Sequence, residues 1–240
     1  MTSAPTEAMV LAAGLGTRMA PLTDETPKPL IRVAGKALID YALDRFASAG
    51  VCNAVVNIHY LAEQIEDHLA GRQAPAISLS DERGERLETG GGLKKARRHF
   101  DGDAIFCTNT DAILIDDHTE EPCALLGRLW DTSNMDALLL IVPRENASGY
   151  DGAGDFTKSD DGRIAMRAGD TAPFVFTGLQ IISTSLIDAG PAGAFSTKLL
   201  WDRAAAEGRL YGAVHQGDWL HVGDPAGLEA AEARLADLKT

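Results

Sequence analysis

The sequence predicts a single α/β domain: a mainly parallel sheet sandwiched by helices. Short apolar runs rich in Val, Ile, Leu and Ala alternate with segments of helical period up to Val142, and that alternation implies right-handed crossovers and a sheet covered on both faces. A length of 240 residues suits one large domain with a well-buried core. No internal repeat, low-complexity tract or linker divides the chain.

In chain order, strands are expected at Ala8 to Ala13, Ala54 to Ile58, Ala76 to Ser80, Ala104 to Cys107 and Ala137 to Val142. Between the first two, Ala37 to Ala49 carries Leu38, Ile39, Ala42, Leu43 and Phe46 on one helical face and stops at Gly50. Leu61 to Leu69 and Gly91 to His99 follow the same pattern. From Tyr150 the texture changes: Asp161-Gly162 is a turn between two strand-like pieces, a hairpin, and "FVFTGLQIIS" reads as a further buried strand. A helix at Lys198 to Glu207, a strand at Leu210 to His215 and an alanine-rich helix from Pro225 to Leu238 complete the chain, the proline well placed in a first turn. The N-terminal half is expected to bind a nucleotide and residues 150–224 to carry acceptor-binding elaborations.

Thirty-five acidic residues against 22 basic ones give a net charge of −13, which repels nucleic acid and anionic lipid, so neither is an expected partner. Cys52, Cys107 and Cys123 are widely spaced without a CxxC pair, which indicates neither zinc nor a disulfide framework. No basic leader and no apolar run of roughly 18 residues is present. The expectation is a soluble cytoplasmic protein of a single domain, with no room after the last helix for an appended one.

Ligands of open parallel sheets bind beyond the carboxyl ends of the strands. That edge collects residues 14–28, 57–59, 81–92 and 109–111. In the first of these, Gly14 and Gly16 allow a tight turn that brings backbone N–H groups to a ligand, although the pattern is neither a Walker loop nor a dinucleotide fingerprint. Arg18 and Lys28, the latter fixed between Pro27 and Pro29, suggest a specific polyphosphate pocket in an otherwise acidic chain.

"LAAGLGTRMAPLTDETPKPL" resembles the signature GxGTRxxPLTxxxPKPL of the sugar-1-phosphate nucleotidyltransferases. "LETGGGLKKA" and "DWLHVGDPAGLEAAE" resemble, within that family, the N-acetylmuramate 1-phosphate uridylyltransferases. The resemblance runs nearly end to end. It implies a Rossmann-like fold of nucleotidyltransferase type. It also implies a Mg²⁺-dependent reaction in which a sugar 1-phosphate oxygen attacks the α-phosphorus of an NTP and pyrophosphate departs. The substrate pair it favours is UTP with N-acetylmuramate 1-phosphate, giving UDP-N-acetylmuramate for peptidoglycan recycling.

Residue by residue, the resemblance puts Arg18 on the β and γ phosphates and Lys28 on the reacting phosphates, as the catalytic pair. It assigns Ala12, Ala13, Gly14, Gly16 and Thr17 to the nucleotide. Thr89, Gly90 and Gly91, with Gly92, would border the nucleoside with backbone groups at a helix start. Asn57 is either a base contact or a buried amide satisfying strand-end backbone. Asp111, after an apolar strand, would bind Mg²⁺. Where many relatives have a second metal-binding Asp, this chain has His221, a poor magnesium ligand. Three readings follow: Asp111 suffices, a neighbour such as Asp224 or Asp218 substitutes through water, or the metal preference leans to Mn²⁺. Gly154, Asp155, Thr177 and Gly178 align with segments lining the family's sugar-phosphate pocket, or they are a hairpin and a strand bend.

Other signals are read as structural. His59 and His68 are too far apart for zinc, Lys94 to His99 is a solvated basic helix face, and Asp116, Asp117, Glu120 and Glu121 are a surface loop. The alternatives to a uridylyltransferase are a mannose- or heptose-1-phosphate guanylyltransferase and a catalytically weak nucleotide-sugar-sensing regulator. The sequence does not set the oligomeric state.

Overall fold

In the computed structural model, which describes residues 4–116 and 120–238, the strands are β1 (Glu7–Leu11), β2 (Arg32–Val33), β3 (Lys36–Ala37), β4 (Asn53–Ile58), β5 (Ala76–Asp81), β6 (Ala104–Asn109), β7 (Ala112–Leu114), β8 (Ala137–Pro143), β9 (Ala147–Ser148), β10 (Phe156–Lys158), β11 (Ile164–Met166), β12 (Phe174–Ser183), β13 (Leu210–Val214) and β14 (Trp219–His221). The helices are α1 (Leu38–Ser48), α2 (Ala62–Leu69), α3 (Glu88–Ala96), α4 (Pro122–Leu129), α5 (Thr184–Asp188), α6 (Lys198–Ala206) and α7 (Pro225–Asp237).

Nine strands form the main sheet, with the path β11-β10-β12-β6-β1-β4-β5 and β8 and β13 branching from β12. Parallel pairing joins β6, β1, β4 and β5, and also β8 and β13. β12 is the antiparallel seam between the two parallel groups. Successive residues of β1 point to opposite faces, as a pleated strand requires. Accordingly Ala8 and Val10 join the core with Leu43, Phe46 and Phe106, while Met9 joins the other with Leu93, Ile105 and Trp201. Both faces are covered at the sheet's centre, so β1 and β8 carry no polar alternation, whereas β5 at the edge alternates Ile77, Ser78, Leu79 and Ser80.

Every expected strand and helix is present with ends shifted by a few residues. The first strand stops at Leu11, before the glycine loop, and the third helix begins at Glu88 and runs on into a 3-10 turn at Arg97–His99. The acidic stretch after Asp111 was expected to be surface loop, yet Glu121 caps α4 by accepting the Ala124 N–H at 2.9 Å, with Pro122 in its first turn. Arg45 pairs with Asp116 at 3.0 Å and Glu121 at 2.7 Å, and Arg128 pairs with Glu120 at 2.7 Å. Asp117 lies outside the described residues.

A second, three-stranded sheet, β7-β14-β9, positions the site. It places His221 opposite Ala112, beside Asp111, and the Val222 N–H on the Asp111 carbonyl at 2.8 Å.

Candidate active site

The carboxyl ends of β5, β4, β1 and β6 open into a cavity of about 380 Å³. Its wall includes Ala12, Ala13, Gly14, Gly16, Thr17, Arg18, Lys28, Asn57, Thr89 and Asp111, all expected from the sequence; Glu82, Arg86 and Asn109, which lie in the expected stretches 81–92 and 109–111 without having been singled out; and Gly223, which was not expected. Sheet order fixes the layout. The β1 loop lies centrally, with Asn57 and Glu82 on the β4–β5 side and Asp111 on the β6 side.

The β1 loop is held by its own sequence. Gly16 sits at φ +65° and its carbonyl accepts from the Met19 N–H at 2.8 Å and the Thr23 hydroxyl at 3.0 Å. Only a residue without Cβ adopts this turn cheaply, and a Cβ there would press on Lys28 and Thr23. Lys28 begins a 3-10 turn after Pro27 and is 9% exposed, so its stem is buried while its ammonium reaches the cavity wall. Its Nζ stands 3.3 Å from Asp111 Oδ2, and His221 Nε2 is 3.9 Å from that oxygen. His221 is stacked on Trp219 at 5.3 Å and its Nδ1 meets the Gly149 carbonyl at 3.3 Å.

At the other end the Ala12 N–H donates to Asn57 Oδ1 at 2.7 Å, so Asn57 Nδ2 must face outward, and it donates to Glu82 Oε1 at 2.9 Å. Asn57 therefore satisfies strand-end backbone and orients Glu82 in one arrangement. Glu82 is 1% exposed, and burial raises its carboxyl above the ordinary carboxylate range against the Asn57 hydrogen bond and the charges of Lys95 and His59. The sequence reading missed Glu82 because it looks like one more acid in "SDERGER".

Several expectations are corrected. Gly90 and Gly91 do not offer their N–H groups to the cavity; both donate to the Phe195 carbonyl, at 2.8 and 3.1 Å, and they are glycines because the 193–195 segment packs against the helix. Asp224 Oδ1 caps α7 on the Gly227 N–H at 2.9 Å, and Asp218 pairs with Arg234 at 2.7 Å, so both carboxylates have structural partners. The Thr177 hydroxyl donates to the Leu140 carbonyl at 2.9 Å, within the register shift where β12 leaves β8. Gly178 lies against the cavity residue Asn109. Gly154 sits at φ +83° beneath the Ala172 carbonyl, and Asp155 accepts the Phe176 N–H at 2.9 Å. None of these four lines the cavity itself.

Among the described residues no group of three His, Cys, Asp or Glu forms a metal cage. The donor chemistry does fit Mg²⁺ held by one carboxylate, Asp111, with the remaining positions taken by phosphate oxygens and water.

The nucleotidyl transferase family model matches residues 7–164, which hold the β1 loop, Lys28, Glu82 and Asp111. The chain belongs to the nucleotidyl transferase family. An N-acetylmuramate alpha-1-phosphate uridylyltransferase of Caulobacter vibrioides is 46% identical to this nucleotidyl transferase over 99% of its chain and 100% of the relative. One from Neisseria meningitidis serogroup B is 33% identical over 95% of this chain and 97% of the relative. The structure of HddC from Yersinia pseudotuberculosis complexed with GMP-PN superposes with a TM-score of 0.76 at 22% identity, covering 95% and 99% of the two chains, a likeness of fold.

Proposed function

We propose that this nucleotidyl transferase moves a uridylyl group from UTP to N-acetylmuramate 1-phosphate, releasing pyrophosphate, as a cytoplasmic enzyme of peptidoglycan recycling. The observation that carries the transferase reading is the placement of Lys28 3.3 Å from Asp111 in a cavity that Arg18 also lines. The base and sugar rest on the two uridylyltransferase relatives. No helix among the described residues is long and apolar enough to cross a membrane.

Phosphoryl-group chemistry of this kind needs positioning and charge stabilisation more than a protein nucleophile. Arg18 and the loop amides around Gly14 hold the β and γ phosphates, and Thr17 borders them. Lys28 stands where the α-phosphate meets the acceptor oxygen and stabilises charge as it accumulates. Asp111 orients Lys28 and, with substrate phosphates, would hold Mg²⁺, which supplies further neutralisation of phosphate charge; Mn²⁺ suits the neighbouring imidazole of His221. Thr89 and Glu82 border the nucleoside, and the 149–155 and 177–178 segments border the sugar.

The test is pyrophosphate release, crossing UTP, GTP, CTP, dTTP and ATP against N-acetylmuramate, N-acetylglucosamine, glucose and mannose 1-phosphates. The expected result is highest kcat/KM for UTP with the muramate. Turnover confined to GTP with mannose 1-phosphate would replace the substrate assignment with the guanylyl one. Silence across the grid with Mg²⁺ and Mn²⁺ would favour a sensing protein.

A further inference from the structure

Most arginines of this acidic chain are held in ion pairs, among them Arg45, Arg72, Arg128, Arg209 and Arg234. Arg144 and Arg167 are exceptions: among the described residues neither guanidinium has a carboxylate within 4.0 Å. Both lie near the Tyr150 phenol and counter the rise in its pKa that burial and Asp155 cause. Arg144 is anchored by its own N–H, which donates to the Pro173 carbonyl at 3.0 Å, and its stem lies over Gly154, whose N–H donates to the Tyr150 hydroxyl at 3.2 Å. Arg167 is tied to the same place by its N–H on the Asp155 carbonyl at 2.7 Å, and its guanidinium caps its own turn at Asp170.

The location relative to the reacting end gives this pair meaning. Beyond the cavity wall a chain of contacts leads from Asp111 through His221, 3.9 Å away, to Tyr150, whose ring meets the imidazole edge-on at 6.4 Å, and then to Gly154 and Arg144. With the nucleoside on the β4–β5 side, as in the function proposed above, an acceptor whose phosphate is at Lys28 would extend its ring and substituents in this direction. A positive group there has no phosphate to bind. It is matched instead to a negative group carried by the sugar.

We infer that Arg144, reinforced by the charge of Arg167, binds a carboxylate on the acceptor sugar remote from its phosphate: the lactyl ether group that an N-acetylmuramate has and an N-acetylglucosamine lacks. The inference rests on the substrate reading proposed above. A guanidinium presents two parallel donors to a carboxylate, which gives orientation as well as attraction. Tyr150 offers an apolar edge beside it for the ring.

The experiment compares kcat/KM for N-acetylmuramate 1-phosphate with kcat/KM for N-acetylglucosamine 1-phosphate, both with UTP, in the wild type, R144A, R144K and the R144A/R167A double variant. Because both sugars are assayed on one preparation, the ratio is insensitive to any inactive fraction. Loss of a charge-assisted hydrogen bond is expected to lower the ratio about 10- to 100-fold in R144A, with the double variant lower still. R144K, which keeps the charge and loses the fork, is expected to fall between. A wild type that prefers the muramate together with an unaltered ratio in R144A and the double variant overturns the inference and leaves the substrate reading standing. A wild type with no preference for the muramate removes the substrate reading, and the inference with it.

Discussion

Lys28 and Asp111 form a contact that a folding argument alone would not choose, since a mostly buried ammonium beside a carboxylate at a cavity wall contributes little net stability once desolvation is counted. Its use is in charge placement. Lys28→Ala is expected to lower kcat about 10²- to 10³-fold while the thermal midpoint moves only a few degrees; turnover within a few-fold of wild type would take Lys28 out of the mechanism. Glu82 offers a different kind of test. Asn57 Nδ2 occupies Oε1, so Oε2 is the oxygen left for a base, and a carboxylate oxygen there accepts the ring N–H of uracil but repels the ring lone pair of cytosine. In Glu82→Gln the Asn57 donor still claims the oxygen, which turns the amide NH₂ toward the ligand. The ratio of kcat/KM for UTP over CTP should fall about 10- to 100-fold, and an unchanged ratio would deny Glu82 any part in reading the base. The same substitution has a pH signature. Burial raises the folded pKa of Glu82 above 4.5, so its contribution to stability is full below that pH and is lost as pH rises through the folded value. Urea unfolding should therefore find Glu82→Gln at least as stable as wild type at neutral pH, an advantage absent below pH 4.5.

Elements rather than single side chains decide where the helices begin, and here the sequence was legible to different depths. Apolar runs announced the strands of the parallel groups, because burial on both faces of the central strands leaves few polar residues to blur the signal. The β1 loop was legible too, since Gly16, Arg18 and Lys28 combine a forced turn with two cations. Less visible were β7, β9 and β14, each three residues or fewer, whose pairing depends on residues far apart in the chain. That sheet sets His221 beside Asp111, so the proximity could not be read from spacing. Gly90 and Gly91 show the opposite error: a run of three glycines suggested ligand approach, and the approaching group is the chain's own 193–195 segment. Gly90→Ala should accordingly act on packing. Its Cβ would lie 2.9 Å from the Phe195 carbonyl and closer to the ring. Overpacking of this kind costs about 1–3 kcal/mol, and urea unfolding should show that loss. A variant as stable as wild type would mean that the 193–195 segment is free to move away. Asp224 belongs to the same scale, as a helix cap: Asp224→Ala should cost about 1 kcal/mol without altering the dependence of rate on Mg²⁺ concentration, and a shifted metal dependence would return it to the metal site.

At the scale of the whole molecule the acidic surface and the basic cavity are one arrangement. A net charge of −13 repels polyanions generally, and Arg18, Lys28 and Arg86 on the cavity wall make a local exception for a triphosphate. Acid should relieve the self-repulsion of that surface, yet one buried group opposes acid stability. His215, 2% exposed at the end of β13, meets the Ile115 carbonyl through Nε2 at 3.0 Å and so ties the main sheet to the strand that leaves the Asp111 turn. Burial lowers its pKa below 6.5, with Arg45 acting in the same direction, while backbone hydrogen bonds at Asp218 and Ile115 and the charge of Asp116 oppose the shift. A lowered folded pKa means that the unfolded chain takes up the proton first. The contribution of His215 is thus full above pH 6.5 and is lost as pH falls through that value toward the folded one. Unfolding free energy measured by urea titration should decline from pH 7 to pH 5 in the wild type. In His215→Gln, which keeps a donor for the Ile115 carbonyl but cannot titrate, the decline over that interval should be shallower. Equal slopes for the two proteins would show that His215 titrates alike in the folded and unfolded chains, and would move the origin of any acid lability to the surface carboxylates.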